Sequence, residues 1–573
     1  MSVVALDSTF PGVRWARRDR WIQGSVAVFT VCLVFAPIAV ALLQSMRSTA
    51  LYESQWSLTL QNYVRLLRSE QLWEALGNSL ALAVIGTATA TVIGVVLALI
   101  LVRTNIALRR TFSELLQAPL YVSSLVMAFG WYMLYGPSGY ITLATATITG
   151  ASPWSLYSIP AMGVLAGFTL VPVVFLYCSA TLHMMDASLE DAARSAGASP
   201  LRVMRSVTLP LMRPAILYSL LLCFVGSIEL LSIPLIFGTS ARIEVFTTFL
   251  YREGMGKTEP DYGLLAAASV LLLLLMTVFV SFHSRLVGNV RRYTTVKGKA
   301  TRPHTIDLGR WRWLAFALVA AYVLVVIVLP LAGLTFRAFV EFLTPLIPPW
   351  DLLTLDHFRA LMEQPSYKRA IVNSFVVAMF GAALVTVLVT LLVLIIKRSE
   401  FKWGKTLETI ALYPRAVPGI VVGIGFLWVG LMVPGFSLIH GTLFALVLAF
   451  AMRDLPAAFG AIGPAMTQIS RELDQSARTC GADWFTASVR VIAPIARPAL
   501  LVAYMLTFVS MLKEYASAVF LFAPGSEIMG TVMLQLWTNG DFGPVAALAV
   551  VQVTATAAIV LTVRRLLGVR TYE

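Results

Sequence analysis

The chain has 573 residues, of which 58% are hydrophobic and only 13% charged, against about 25% charged in an average soluble domain. Lys and Arg number 43 against 29 Asp and Glu, a net charge of +14 that in a soluble protein would point to nucleic acid. Here the basic residues gather in short loops between apolar runs, so membrane orientation accounts for them and no nucleic-acid partner is implied.

The apolar runs, each of about 18 residues or more, are long enough to cross ~30 Å of hydrocarbon, and they exclude a string of soluble domains. The expected fold class is an all-α polytopic membrane protein. A basic head with Arg14, Arg17, Arg18 and Arg20 precedes a first run from about Ile22 to Met46. That run is too long for a signal-peptide core and no small-x-small site follows it, so it reads as an uncleaved first span with the N-terminus in the cytoplasm. Further spans are expected near 78–102, 113–135, 159–182, 212–237 and 263–287, then near 313–338, 371–396, 408–433, 440–462, 498–522 and 543–567. That makes twelve. The Gly-, Pro- and Thr-containing stretch 136–158 reads as irregular, dipping into the membrane or lying on it.

Loop charge sets the orientation. Arg103, Arg109 and Arg110 follow the second span, Lys397, Arg398, Lys402 and Lys405 the eighth, and the linker 288–312 is net basic. With the N-terminus inside, all of these are cytoplasmic. The stretch 238–262 mixes Arg242, Glu244, Arg252, Glu253, Lys257, Glu259 and Asp261, as an outside loop would.

A polar stretch between spans, Leu189-Glu190-Asp191-Ala192-Ala193 to Gly197, Ser199 and Pro210, recurs as Leu473-Asp474-Gln475-Ser476-Ala477 to Gly481, Asp483 and Pro494. The offset is 284 for the glycines (481 − 197) and for the prolines (494 − 210). Helix formers ending at a glycine predict a left-handed C-cap. Ser199 or Asp483 then supplies the N-cap of a second short helix. Upstream, Leu58–Tyr63 pairs with Leu353–Phe358 and Asn78-Ser79 with Asn373-Ser374, at an offset of 295 (373 − 78). Six spans per copy is an even number, so the chain reads as two parallel repeats related by an axis along the membrane normal.

The recurring stretch resembles the Glu-Ala-Ala loop of permease subunits in ABC importers, in which Glu-Ala-Ala is followed at fixed spacing by Gly and then Leu-Pro. Asp191-Ala192-Ala193, Gly197, Val207 and Leu209-Pro210 fit that pattern; Gln475-Ser476-Ala477, Gly481, Val491 and Ala493-Pro494 are a degenerate copy. The resemblance implies a type I ABC permease fold of about 12 helices in two six-helix repeats. It divides the chain into 1–47 (N-terminus and first span), a first half 48–287 with its loop at 186–214, the linker 288–312 and a second half 313–573 with its loop at 470–498. It also implies a bacterial inner membrane location, an ATP-binding cassette subunit dimer at the cytoplasmic face and a periplasmic or lipid-anchored solute-binding protein, with membrane lipid around the spans. Glu190, Asp191, Ala192, Ala193, Gly197, Ser199 and Pro210 become ATPase-docking positions, with Asp474, Gln475, Ala477, Gly481, Asp483 and Pro494 in the second copy. Asp191 holds the place of the family's Glu; Gln475 cannot form a salt bridge there.

Gly256-Lys257-Thr258 lacks the earlier glycine of a phosphate-binding loop, since Tyr251 stands there. The five histidines form no helical ligand pair and the four cysteines show no ligand spacing, so neither cofactor, metal nor catalytic residue is expected. The chain reads as a transport subunit, not an enzyme. Glu229 and Glu514, 285 apart, lie in apolar spans. They read equally as markers of a helix break or translocation path and as structural carboxylates, with Lys513 as a neutralising neighbour of Glu514. Arg453-Asp454 reads as interfacial. The fused layout, with Pro260–Ala268 and Lys513–Gly543, resembles the ferric-iron type. Fused permeases for 2-aminoethylphosphonate, thiamine, polyamine, sulfate or sugar phosphate share the pattern, and an ion-coupled carrier is the alternative from another class.

Overall fold

A computed structural model describes residues 11–49, 56–152, 154–288, 305–342 and 347–567. Most of the basic linker lies outside the described residues. The described chain is helical, with isolated bridges only, such as Arg47 to Leu58 and Val340 to Leu353. Helices are what a lipid solvent requires, since each backbone N–H and C=O must find its partner within the chain. Among the described residues nine helices are long and apolar enough to cross a membrane, and up to twelve if each of three bent pairs is one span.

Those bent pairs correct the expected spans. The run at 113–135 is broken between Arg109–Tyr121 and Ser124–Thr149 with a 107° bend, and 408–433 between Gly404–Ala416 and Gly419–Met432 with a 109° bend. The breaks are repeat-related, Val122-Ser123 matching Val417-Pro418, and a proline sits just ahead of each, Pro119 and Pro414. The expected span 498–522 ends as a helix at Leu512 and bends 79° from Trp484–Ile495. The stretch 136–158 is more regular than its composition indicates, since Tyr140–Thr149 is helical and closes on Gly150 in the left-handed region.

The described residues fall into two compact units, one drawn from those up to 59 with 368–531 and those from 556 on, the other from 60–367 and 532–555. In the second-named unit Glu70–Arg103 packs along Ile159–Met184 and Leu209–Ile228. The other unit is built on Leu443–Gln468 against Arg497–Leu512. Each unit also holds one helix from the opposite sequence repeat. Pro11–Ser45 packs on Gly419–Met432, and Leu329–Ala338 packs on Ser124–Tyr135.

The seat is the same in both places. A Cβ on Gly130 would lie 2.7 Å from the Pro330 carbonyl oxygen, and one on Gly425 2.9 Å from Pro37 Cβ and 3.0 Å from its carbonyl oxygen. Only glycine lets backbones approach this closely, as at other membrane helix contacts.

The paired Asn-Ser residues also acquire a physical meaning. Asn78 Nδ2 donates to the Glu244 carbonyl at 2.9 Å, and Ser79 Oγ accepts from Phe246 N at 2.6 Å. In the other unit Asn373 Nδ2 donates to the Gly525 and Glu527 carbonyls at 3.1 and 2.9 Å, and Ser374 Oγ accepts from Met529 N at 2.8 Å. Each pair satisfies backbone that a helix break has left open.

Substituting Gly130 or Gly425 with Ala should therefore destabilise its unit by about 1–3 kcal/mol through overpacking, and Leu should cost more. Thermal unfolding of the detergent-purified chain measures this. Unchanged midpoints in both Leu variants would mean that the proline contacts do not seat these helices.

Candidate docking loops and membrane charges

Both polar loops fold as a helix, a glycine turn and a second short helix. The first runs Ala187–Ser195, Gly197 and Pro200–Val203; the second Arg471–Thr479, Gly481 and Trp484–Ala487. Gly197 has φ +82° and Gly481 φ +88°. The helix ends close identically. Gly197 N donates to Arg194 O at 2.8 Å and Ala198 N to Ala193 O at 3.0 Å, while Gly481 N donates to Arg478 O at 2.9 Å and Ala482 N to Ala477 O at 3.1 Å. This is the two-bond glycine cap that satisfies carbonyls left open at a helix C-terminus.

The entry caps were not foreseen. Asp186 accepts from Ser188 N at 2.9 Å and Ser470 from Glu472 N at 3.2 Å, again 284 apart. Asp483 caps the second short helix as expected, accepting from Thr486 N at 2.9 Å. Ser199 does not: its side chain makes no cap bond. Pro200 at the first helical position sets φ without that help. A π-helical turn follows each loop, Met204–Thr208 and Ser488–Ile492, just before Pro210 and Pro494.

The predicted docking residues divide into an outer and an inner set. Asp191, Ala192, Gly197, Ser199, Gln475 and Gly481 are exposed; Ala193, Ala477, Asp483, Pro210 and Pro494 are half-buried. Leu189 and Leu473, at matching positions, are 42% and 43% exposed. Each loop thus presents an apolar knob beside a polar residue.

Glu190 and Asp474 correct the expectation. Both are buried: Glu190 faces the arginine that ends the first long helix, whereas Asp474 pairs with Arg478 of its own helix. Arg103 Nη2 lies 3.2 Å from Glu190 Oε1, both side chains almost fully enclosed. The Thr208 hydroxyl donates to the same Oε1 at 2.9 Å. Removing one partner of such a pair costs about 3–5 kcal/mol by stranding the other charge.

In the second loop Arg398 donates to Met466, Ile469 and Ser470 carbonyls at 3.0, 2.5 and 3.4 Å, and Asp474 Oδ2 pairs with Arg478 at 3.3 Å. Arg103 and Arg398 end helices of 34 residues each. Their 295-residue spacing matched that of the Asn-Ser pairs, but both read as ordinary loop charges.

The second loop has a further brace. Arg18 pairs with Asp483 and lies 5.5 Å over the Phe485 ring, and Asp19 Oδ2 accepts from Trp484 N at 3.0 Å. Burial would raise the Asp483 carboxyl, but bonds from the Thr486 hydroxyl and amide, with Arg18, hold it below the ordinary aspartate value. Near the first long helix, Ile306 N donates to Arg103 O at 2.7 Å and Asn105 to Asp307 at 2.7 Å. The Gly309 amide and Asn105 hold the Asp307 carboxyl low.

The membrane acids both stand at helix breaks. Leu209–Ile228 ends at Glu229, and Arg497–Leu512 ends just before Glu514. Glu514 Oε1 accepts from Ser517 N at 3.1 Å and its Oε2 lies 3.4 Å from Arg453 Nε. Asp454 accepts from the Ser510 hydroxyl at 2.9 Å. Arg453 and Asp454 are not interfacial: Asp454 is buried 11 residues into the 26-residue helix Leu443–Gln468 (454 − 443). A charge this deep is tolerated because the broken neighbouring helix supplies its partners. Among the described residues no group of three or more His, Cys, Asp and Glu could hold a metal ion.

The model of the family described as "Binding-protein-dependent transport system inner membrane component" matches residues 90–292 and again 390–569. Among curated proteins the chain is similar to the ferric transport system permease protein FbpB of Actinobacillus pleuropneumoniae, 24% identical across 96% of this chain and 79% of that one. It is 23% identical to the Fe(3+)-transport system permease protein FbpB 2 of Haemophilus influenzae, across 84% of this chain and 87% of that one. The putrescine transport system permease protein PotI of Escherichia coli is 29% identical over 34% of this chain and 67% of its own. A crystal structure of a bacterial ABC transporter involved in import of the acidic polysaccharide alginate aligns with 46% of this chain and 98% of its own, at 19% identity and TM-score 0.37. With a family match in each half, this chain belongs to the binding-protein-dependent transport system inner membrane components, as a fused two-half permease of an ABC importer.

Proposed function

We propose that the two glycine-closed loops are the cytoplasmic docking knobs for a dimer of ATP-binding cassette subunits, and that the spans enclose the path of a substrate delivered from the periplasmic side by a solute-binding protein. The observation that carries this is the duplicated loop, whose caps, φ > 0 glycine and exposed leucine repeat at one spacing. Duplication suits a twofold partner. The positive-inside distribution supports a cytoplasmic N-terminus and cytoplasmic loops. An ion-coupled carrier would leave both knobs without a task.

Ferric iron is the substrate best supported, because the two ferric relatives align along most of this chain. Cells expressing the full system should take up iron in a manner abolished by loss of the permease. Uptake unaffected by iron competition but competed by a phosphonate, thiamine, polyamine, sulfate or sugar phosphate would reassign the substrate and leave the permease role intact.

Replacing Gly197 with Val forces a β-branched residue to φ > 0, at roughly 1–2 kcal/mol, although open space surrounds the position. The effect is thus confined to the turn. Co-purification of the ATPase subunit should fall while insertion of the permease persists, with Gly481→Val milder because Gln475 offers no charge. Full stoichiometry and transport-linked hydrolysis in the Gly197 variant would remove the docking role.

Glu229 and Glu514 are proposed to shape the path by fixing the helix breaks. Gln at either site should lower transport with assembled complex unchanged, and Ala should lower it further by removing the hydrogen-bonding group. Wild-type transport by both Ala variants would reduce these acids to packing.

A further inference from the structure

The long helices Glu70–Arg103 and Pro365–Arg398 carry polar anchors at both ends, and the same anchors in both repeats. At one end of the first, buried Arg103 meets Glu190, and Glu190 is also bonded to Thr208. One carboxylate therefore joins the long helix, the first helix of the loop and the π-helical turn after it. Toward the other end, Asn78 and Ser79 hold Glu244 and Phe246. Next to them, Thr247 Oγ1 donates to Leu230 O at 2.9 Å, beside the break at Glu229. The distance spanned along the helix, 25 residues (103 − 78), is about 38 Å at 1.5 Å per residue.

The second repeat is built alike. Arg398 grips the carbonyls that lead into the loop, and Arg478 of the loop donates back to the Arg398 carbonyl at 3.0 Å. Asn373 and Ser374 hold the segment 525–529 after the break at Glu514. An orientation signal would leave its arginines in water. These are 3% and 8% exposed.

We infer that each long helix is a transmission strut, with Arg103 and Arg398 as positioning residues that key the docking loop to one end and the Asn-Ser pairs keying the segment beyond the helix break to the other. Loop displacement at the ATPase is passed as rigid motion of the helix to the far segment, and occupancy on the far side is returned by the same route. This rests on the docking role proposed above. Neither Arg103 nor Asn78 lies on the exposed face of the docking loops, so neither variant removes a side chain that the ATPase would meet.

The test compares wild type, Arg103→Ala, Asn78→Ala and the double variant in the complete complex with ATPase subunits and binding protein, recording hydrolysis with and without the substrate-loaded binding protein. Basal hydrolysis should persist in each single variant while the stimulated increment falls about tenfold, a coupling loss of ordinary allosteric size. The double variant should be no worse than the weaker single one, because both break one strut.

Arg103→Lys, which keeps the charge, should recover part of the increment, and it decides the matter by the same rates where Ala fails to insert. Multiplicative losses in the double variant, an undiminished increment in both single variants, or loss of assembly in both Arg103 variants would overturn the strut. A wild-type complex without any stimulated increment would instead count against the docking reading itself.

Discussion

A backbone group released by a helix break inside hydrocarbon has no water to turn to, and the rest of this structure follows from that constraint. Where Arg109–Tyr121 gives way to Ser124–Tyr135, the Ser123 hydroxyl accepts from Leu125 N. Beyond Glu229, the Leu230 carbonyl is met by the Thr247 hydroxyl. Beyond Glu514, the Ser517 amide is met by the Glu514 carboxylate itself. These polar residues of the spans are thus placed where the backbone leaves its helix. Their presence in an apolar chain follows from the breaks.

The same constraint treats the repeats unequally. Arg453 and Asp454 correspond to Thr169 and Leu170 (an offset of 284), so the first repeat lacks the charges that surround Glu514. Thr169 spends its hydroxyl on Ala166 O in its own helix. The second repeat instead ties Leu443–Gln468 to the end of Arg497–Leu512 through Arg453–Glu514 and Asp454–Ser510. These two helices flank the second loop. Buried ion pairs add little net stability because both charges lose their water, so the cluster is better understood as fixing how the two helices meet.

Much of this could be read from sequence because duplication left fixed offsets. Spacings of 284 and 295 located the loops, their glycines and the Asn-Ser pairs. Breaks were missed at Val122-Ser123 and Val417-Pro418 because hydropathy averages across a two-residue interruption; the prolines three or four residues ahead were the available signal. Glu190 reads in sequence as a docking position because a helix face is ambiguous until its neighbour is known. Its partner Arg103 is 87 positions away (190 − 103) and looked like one more orienting charge. Arg453-Asp454 was assigned to the interface for the same reason: no local pattern announces that a broken helix lies opposite. What sequence cannot carry is the partner across space, unless repetition marks both members.

The two loops finally differ in how they reach the same shape. The first carries a carboxylate at Asp191 on its exposed face, and its second short helix starts at Ser199 without a side-chain cap. The second has only Gln475 at the matching position, yet its short helix is capped by Asp483. That cap is held in turn by Arg18, and the adjoining Trp484 amide by Asp19. Both residues sit on the first helix of the chain, itself seated on Gly425 through Pro37. Under the docking role proposed above, ordering a loop before its partner arrives removes part of the entropy that binding would otherwise cost. A surface poorer in charge is therefore matched by a frame that is better fixed, and the asymmetry in sequence is balanced by one in mechanics.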